Sequence, residues 1–387
     1  MDNIGLTGLP GGAGAQPPRV PPLETIAVIG AGAWGTALAA VAARAGRRAV
    51  LWTRRAALAE EINHRRRNSA YLGETQLPEG VRATPDLADA LKGADAALLV
   101  TPSETTRALA RAIAPLTPPS MPLVLCAKGV EASSGLLLSA VVCEERGPSA
   151  VAALSGPTFA TEVARDLPAA VTIASAFPAQ TEGRPEAAVA ARVAVALSNA
   201  TFRAYVSDDL VGVEVGGAMK NVIAIACGVA QGAGFQANMR AALITLGLEE
   251  MKRVAEALGG RRETVTGLSG LGDLALTCSS EQSRNFRFGL QLGAGVSAAE
   301  TFGGAPVVVE GRANAISVTD LARKHGLSLP ICEAVRAMVH EGADRIDALS
   351  ALWARPLEAE PRGLSVTLPH PAEAEVQARM RTLMAGG

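Results

Sequence analysis

Aromatic residues are scarce in this 387-residue chain, at 3%, and cysteine occurs only at positions 126, 143, 227, 278 and 332. No two cysteines stand in C-x-x-C spacing, so neither a disulfide framework nor a thiolate zinc site is expected. His64, His325, His340 and His370 fall in no HxxxH or HExxH pattern, and no metal site is expected. An excess of one charge is also missing, since 36 Lys and Arg face 37 Asp and Glu. Such a balance argues against a nucleic-acid partner and against a membrane-surface role. Arg65, Arg66 and Arg67 do cluster, but three adjacent arginines read as a solvated helix face. No uninterrupted apolar run approaches the ~18 residues that would span a bilayer, so no integral membrane contact is expected. The opening residues carry neither a basic start nor an apolar stretch of signal-peptide type. The expected compartment is reducing: the cytoplasm.

Lysine is rare as well, with 5 residues (92, 128, 220, 252 and 324) against 31 arginines. Where arginine supplies generic positive charge, a persisting lysine is a candidate for work arginine cannot do, such as losing its proton.

Apolar residues are plentiful, at 49%, and the length exceeds what one hydrophobic core usually supports. Two domains are expected. Residues 1–22 are rich in Gly and Pro and read as a disordered leader. Short apolar runs at 26–30, 49–52, 97–100, 123–126, 151–154 and 170–174 read as buried parallel strands, with helical stretches between most of them. That alternation predicts an α/β fold whose N-terminal part, 23–205, is a Rossmann-type doubly wound sheet. Beyond it the segments lengthen and take the helix period, for example over 213–231 and 239–258. A mostly α-helical C-terminal domain that carries substrate binding and catalysis is expected over 206–355. Val307–Val309 is the remaining strand-like run there, and 356–387 reads as a weakly packed tail.

The sequence IAVIGAGAWGTALA places Gly30, Gly32 and Gly35 as G-x-G-x-x-G between a predicted strand and a predicted helix. The first glycine suits a tight turn, the second the approach of a pyrophosphate, and the third close helix–strand packing. The acidic residue that would hold a ribose hydroxyl at the end of the second strand is replaced by Trp52-Thr53-Arg54-Arg55. Arginines at a helix start oppose the helix dipole, whereas a 2′-phosphate would explain them. NADP is therefore expected as cofactor, with NAD also accepted.

Lys128, in LVLCAKGVE, and the segment SGPTFATE at 155–162 follow predicted strands, where open α/β sheets bind ligands. A loop charge and a simple turn are the plainer readings. In VEVGGAMKNVIAIACG, Lys220 and Asn221 interrupt an apolar helix, and a buried ammonium needs a partner or a lowered pKa. Asp273, in GLSGLGDLALTC, is the partner candidate, and a purely structural ion pair is the alternative. Ser283, Arg284 and Asn285, in EQSRNFRFG, suit a phosphate.

Together these motifs, with VVVEG at 307–311, resemble the NAD(P)-dependent glycerol-3-phosphate dehydrogenases from about residue 26 to 349. The resemblance implies interconversion of sn-glycerol 3-phosphate and dihydroxyacetone phosphate, supplying the backbone of glycerophospholipids. It implies Lys220 as proton acceptor from the C2 hydroxyl. Lys128, Gly156, Thr158, Asp273, Ser283, Arg284 and Asn285 become substrate contacts. Ala33, Trp34, Arg54, Arg55, Lys128, Ala160, Arg284, Val308 and Glu310 become cofactor contacts. Ala33 departs from members that carry serine there, so a hydroxyl contact to the pyrophosphate is lost. A small phosphorylated molecule is the expected partner, with a homodimer as a candidate assembly. The alternative is another two-domain NADP-dependent hydroxyacid dehydrogenase or a ketopantoate-type reductase.

Overall fold

The computed structural model describes residues 22–176, 188–358 and 367–385. Apart from Pro22, the expected leader lies outside them. The N-terminal half runs β1 (Thr25–Ile29), α1 (Ala33–Arg44), β2 (Arg48–Trp52), α2 (Ala56–Arg65), α3 (Ser69–Leu72), β3 (Val81–Thr84) and α4 (Leu87–Leu91). It continues through β4 (Ala96–Leu99), α5 (Thr106–Ile113), β5 (Leu123–Leu125), α6 (Leu138–Arg146), β6 (Val151–Ser155) and α7 (Ala160–Ala164). It closes with β7 (Ala169–Ser175), α8 (Val189–Leu197) and β8 (Phe202–Ser207). The strands form one sheet in the order β3-β2-β1-β4-β5-β6-β7-β8, the doubly wound arrangement expected.

Two details of the sheet depart from the sequence reading. The sheet is not wholly parallel, because β7 runs antiparallel to β6 and carries β8 parallel beside it. The strands β3 and β8 had no apolar run to announce them. Both are edge strands with exposed positions, so fewer of their residues had to be apolar.

The helical part comprises α9 (Leu210–Gly232), α10 (Ala237–Ala257), α11 (Arg262–Val265), α12 (Asp273–Cys278) and α13 (Arg284–Gly293). It continues with α14 (Glu310–Lys324), α15 (Pro330–His340) and α16 (Arg345–Trp353). A short pairing of β9 (Leu357–Glu358) with β10 (Thr367–Leu368) leads to α17 (Glu373–Ala385). In the segment read as a weak tail, α17 lays Val376 and Met380 against the body, and Gln377 and Arg381 donate to Asp347. Val307–Val309 forms no strand. It leads into α14 with Val309 as N-cap, because no neighbouring strand offers β-branched residues a ladder.

The centre of the second core is α9, buried at every residue from Gly212 to Ala230. Its most apolar window has mean hydropathy 1.5, enough to cross a membrane, yet 89% of that window is inside the protein. The core accounts for this apolarity. Glycines let α9 and α13 touch backbone to backbone: a Cβ on Gly228 would lie 2.2 Å from the Phe286 carbonyl oxygen, and one on Gly289 would lie 2.1 Å from that of Ile225. This crossing delivers the start of α13 to the middle of α9, near Lys220.

Candidate active site

Each glycine of the first turn meets a separate steric demand. Gly30 has φ +119, in the region that favours glycine, and its added Cβ would come within 2.9 Å of Thr101 Cγ2. At Gly35 a Cβ would lie 1.8 Å from the Gly30 carbonyl oxygen, so α1 rests directly on the turn. Gly32 faces open space, with nothing within 4 Å of its missing Cβ. Gly32 is also the N-cap of α1, and no side chain caps that end. Thr36 N–H is the first to bond back, to Gly32 O at 3.0 Å. The N–H groups of Ala33, Trp34 and Gly35 therefore have no acceptor within the helix. Donors, positive helix end and open space together fit a dinucleotide pyrophosphate. The absent hydroxyl at Ala33 leaves this cradle to backbone groups.

Asn68, fully buried, braces the turn by donating to Ala31 O at 3.0 Å and Thr36 Oγ1 at 2.8 Å. Arg54 and Arg55 stand exposed at the end of β2, with Arg55 as N-cap of α2. The Arg55 guanidinium lies 5.3 Å over the Tyr71 ring, so part of its binding capacity is already used.

The lysines converge on one carboxylate. Lys128 Nζ donates to Asp273 Oδ2 at 2.6 Å, and Lys220 Nζ donates to Asp273 Oδ1 at 2.5 Å. Lys220 Nζ also donates to Thr277 Oγ1 at 3.0 Å, while that hydroxyl donates to Asp273 O at 2.6 Å. An ammonium has three N–H groups, so one on Lys220 has no acceptor among the described residues. Asp273 is 1% exposed and Lys220 6%. Burial pushes Lys220 down to about 8, against the pull of Asp273 and with the help of the neighbouring Lys128 charge. Burial would also lower Lys128, but Asp273 outweighs it and holds this ammonium above its ordinary range. Burial would raise Asp273, yet the two lysines keep its carboxyl below the usual range. Lys220 is thus the member of the trio able to exchange a proton near neutral pH.

The segment after β6 closes another side. Gly156 is buried, and its added Cβ would lie 2.8 Å from Ala170 O. Thr158 Oγ1 donates to Gly156 O at 3.2 Å, and Ala160 opens α7. The buried Ser155 hydroxyl has no partner among the described residues. A Cβ added at Gly217 would lie 3.3 Å from that hydroxyl and 3.2 Å from Lys128 Cγ, which places it beside the lysines.

At the start of α13, Ser283 is the N-cap and its hydroxyl accepts from Phe286 N–H. Arg284 is exposed at the first helical position. Asn285 donates to Asn221 Oδ1 at 2.9 Å and accepts from Gly311 N–H at 2.9 Å. Asn221 in turn donates to Glu310 Oε2 at 2.9 Å. The Ser283 and Asn285 side chains thus have partners inside the protein, while the Arg284 side chain is exposed and the N–H groups of Arg284 and Asn285, at the first two helical positions, have no acceptor within the helix. Val308 lies exposed just before Glu310.

The sequence reading missed Thr277, Asn68 and Asn314. Thr277 and Asn314 could have been found by helix spacing, lying four residues after Asp273 and Glu310 and so on the same helix faces. Asn68 had no such signal. Two surface hollows, one beside Arg44 and Arg165 and one beside β8, lie away from both lysines.

Residues 25–181 match the family model for the NAD-dependent glycerol-3-phosphate dehydrogenase N-terminus, and residues 209–350 match that for its C-terminus. The chain is 49% identical over 335 residues to glycerol-3-phosphate dehydrogenase [NAD(P)+] of Parvibaculum lavamentivorans, covering 87% of this chain and 98% of that one. It is 46% identical over 338 residues to the protein of the same name from Rhodospirillum rubrum, covering 87% and 94% respectively. A crystal structure of glycerol-3-phosphate dehydrogenase from Coxiella burnetii superposes with TM-score 0.79 at 39% identity, covering 86% of this chain and 99% of that one.

Proposed function

This chain belongs to the NAD-dependent glycerol-3-phosphate dehydrogenase family, and on that premise we propose that Lys220 is the acid–base group acting at C2 of the substrate. The protein is an NAD(P)-dependent glycerol-3-phosphate dehydrogenase with a small phosphorylated substrate, which sets aside the hydroxyacid-dehydrogenase and ketopantoate-reductase alternatives. The observation that carries the Lys220 assignment is the sharing of Asp273 by the buried Lys220 and the partly buried Lys128, the second held charged and the first brought to about 8.

The hydride chemistry is supplied by NAD(P)(H) when it is bound. The chain's own residues do the rest. In oxidation, neutral Lys220 accepts the proton of the C2 hydroxyl. In reduction, the same group returns a proton to the carbonyl oxygen. Lys128 keeps its charge and, with Asp273, Gly156 and Thr158, orients the glycerol end. Arg284 and the N–H groups opening α13 hold the phosphate, with Ser283 and Asn285 shaping that end. Gly32, Ala33 and Trp34 hold the pyrophosphate by backbone, and Arg54 and Arg55 hold a 2′-phosphate. Ala160, Val308 and Glu310 border the cofactor.

The proposal includes a cytoplasmic homodimer working in the reductive direction to supply glycerophospholipid synthesis. The five free cysteines suit a reducing compartment. Mixing the protein with NADPH and dihydroxyacetone phosphate should consume the nicotinamide absorbance. Lys220→Arg keeps the charge but not the exchangeable proton, and should lose on the order of 10²–10⁴ in kcat with NADPH binding intact. Near-normal turnover in that variant would remove Lys220 from the role.

A further inference from the structure

Helix α14 carries Asn314 one turn after Glu310, and nothing in the roles above uses it. Asn314 is 1% exposed. Its Nδ2 donates to the main-chain oxygen of Lys128 at 3.1 Å and to that of Ala218 at 2.9 Å, which uses both amide protons. Lys128 stands on the loop after β5, and Ala218 precedes Lys220 by two residues in α9. A single carboxamide therefore joins the two backbones that carry the lysines. The fit around it is close. A Cβ on Gly129 would lie 3.0 Å from Asn314 Oδ1 and 2.8 Å from Ser103 Oγ, and one on Gly311 would lie 2.6 Å from Asn221 O. Neither the Lys128 loop nor α14 can shift against α9 without breaking these contacts.

We infer that Asn314 is a positioning residue for the reaction, setting the separation of Lys128 and Lys220 over Asp273 by clamping their main chains. The inference rests on the reading of Lys220 as proton acceptor. The groups facing Lys220 come from several elements. From α12 come the Asp273 carboxylate, the Thr277 hydroxyl and the Cys278 thiol, with the Cys227 thiol of α9 behind it. The sheet domain contributes the Lys128 ammonium, and α14 the Glu310 carboxylate. Burial raises Cys278 well above its ordinary range, so it stays neutral. Lys128 repels a proton on Lys220, whereas Asp273 and Glu310 retain it. Freeing the Lys128 loop weakens the repulsion and leaves more of Asp273 to Lys220. Both changes make Lys220 hold its proton more firmly, so oxidation should require a higher pH.

The test measures glycerol 3-phosphate oxidation across pH in wild type, Asn314→Leu, Asn314→Ser and Lys220→Arg. Leucine keeps the approximate size and removes both donors, while serine retains one. Asn314→Leu should lower kcat on the order of 10- to 100-fold. It should also move the acid limb of kcat upward by about half a pH unit or more, with KM for NADP within about twofold. Asn314→Ser should fall between leucine and wild type in both respects. A limb that stays at the wild-type pH in a folded variant overturns the inference, as do equal effects of serine and leucine. If the leucine protein does not fold, the limb of the serine variant decides alone, moved or unmoved. Turnover retained in Lys220→Arg would sink the Lys220 reading and this inference with it. An inactive Lys220→Arg beside unmoved Asn314 profiles would sink this inference only.

Discussion

The glycine turn before α1 and the lysine cluster around Asp273 solve opposite problems. The turn works through backbone: Gly32 leaves space open, and helix-start N–H groups wait without internal partners. The cluster works through side chains bonded to one another, with Asp273 accepting from both lysines. One site is defined by what is left out, the other by what is packed in. Substitutions at the turn should therefore separate binding from stability, whereas substitutions in the cluster should disturb both.

The largest effect is expected at Asp273. Asp273→Asn leaves the buried Lys220 ammonium and the partly buried Lys128 ammonium without their anion and should cost about 3–5 kcal/mol of stability, read by denaturant unfolding. Because Asp273 raises the Lys220 pKa, its loss should also move the acid limb of oxidation below about pH 8 in whatever folded protein remains. Unchanged stability would show that the cluster is not an interlocked unit.

The turn offers a sharper division. A Cβ at Gly35 would lie 1.8 Å from Gly30 O, so Gly35→Ala should lower Tm by several degrees or prevent folding. Gly32 has φ −72 and open space, so Gly32→Ala should leave Tm nearly unchanged. The same methyl should weaken NADPH binding by roughly tenfold through intrusion on the pyrophosphate, measured by titration. If both variants lose stability alike, the distinction between the glycines fails.

Arg284 lies on the open side of the comparison. In the phosphate-binding role proposed for Arg284, Arg284→Ala removes charge-assisted hydrogen bonds worth roughly 1.5–3 kcal/mol, so KM for dihydroxyacetone phosphate should rise about 10- to 100-fold. Its preference over unphosphorylated dihydroxyacetone should narrow. Equal losses on both substrates would assign Arg284 to the cofactor or the fold. The smallest effect is expected at Arg54, exposed and in no ion pair among the described residues. Arg54→Asp should reverse an NADPH preference of a few-fold, since a carboxylate favours ribose hydroxyls and repels a 2′-phosphate. A wild-type enzyme that strongly favours NADH in kcat/KM would remove that role from both arginines.

How far each region could be read in advance follows from where its constraints lie. Gly30, Gly32 and Gly35 act within a few residues of one another, and the bond lengths and sterics that demand them are the same in any chain. Apolar runs such as Ile26–Gly30 likewise disclosed buried strands, because a strand covered on both faces needs every residue apolar. Edge strands β3 and β8 escaped for the converse reason. Val307–Val309 carried strand residues but found no strand to pair with.

The sequence by itself determined the types of the main elements, the glycine turn before α1 and the choice of Lys220 and Asp273 as unusual groups. Local sterics and the cost of burying charge are properties of residue and neighbourhood. Tertiary structure alone decided that Lys128 shares Asp273 across 145 positions, that Thr277 completes the Lys220 contacts, and that Asn314 joins both lysine-bearing backbones. It also decided that β7 runs against β6. A lysine's pKa depends on desolvation and on charges within a few ångströms, and those distances exist only once remote segments have packed together.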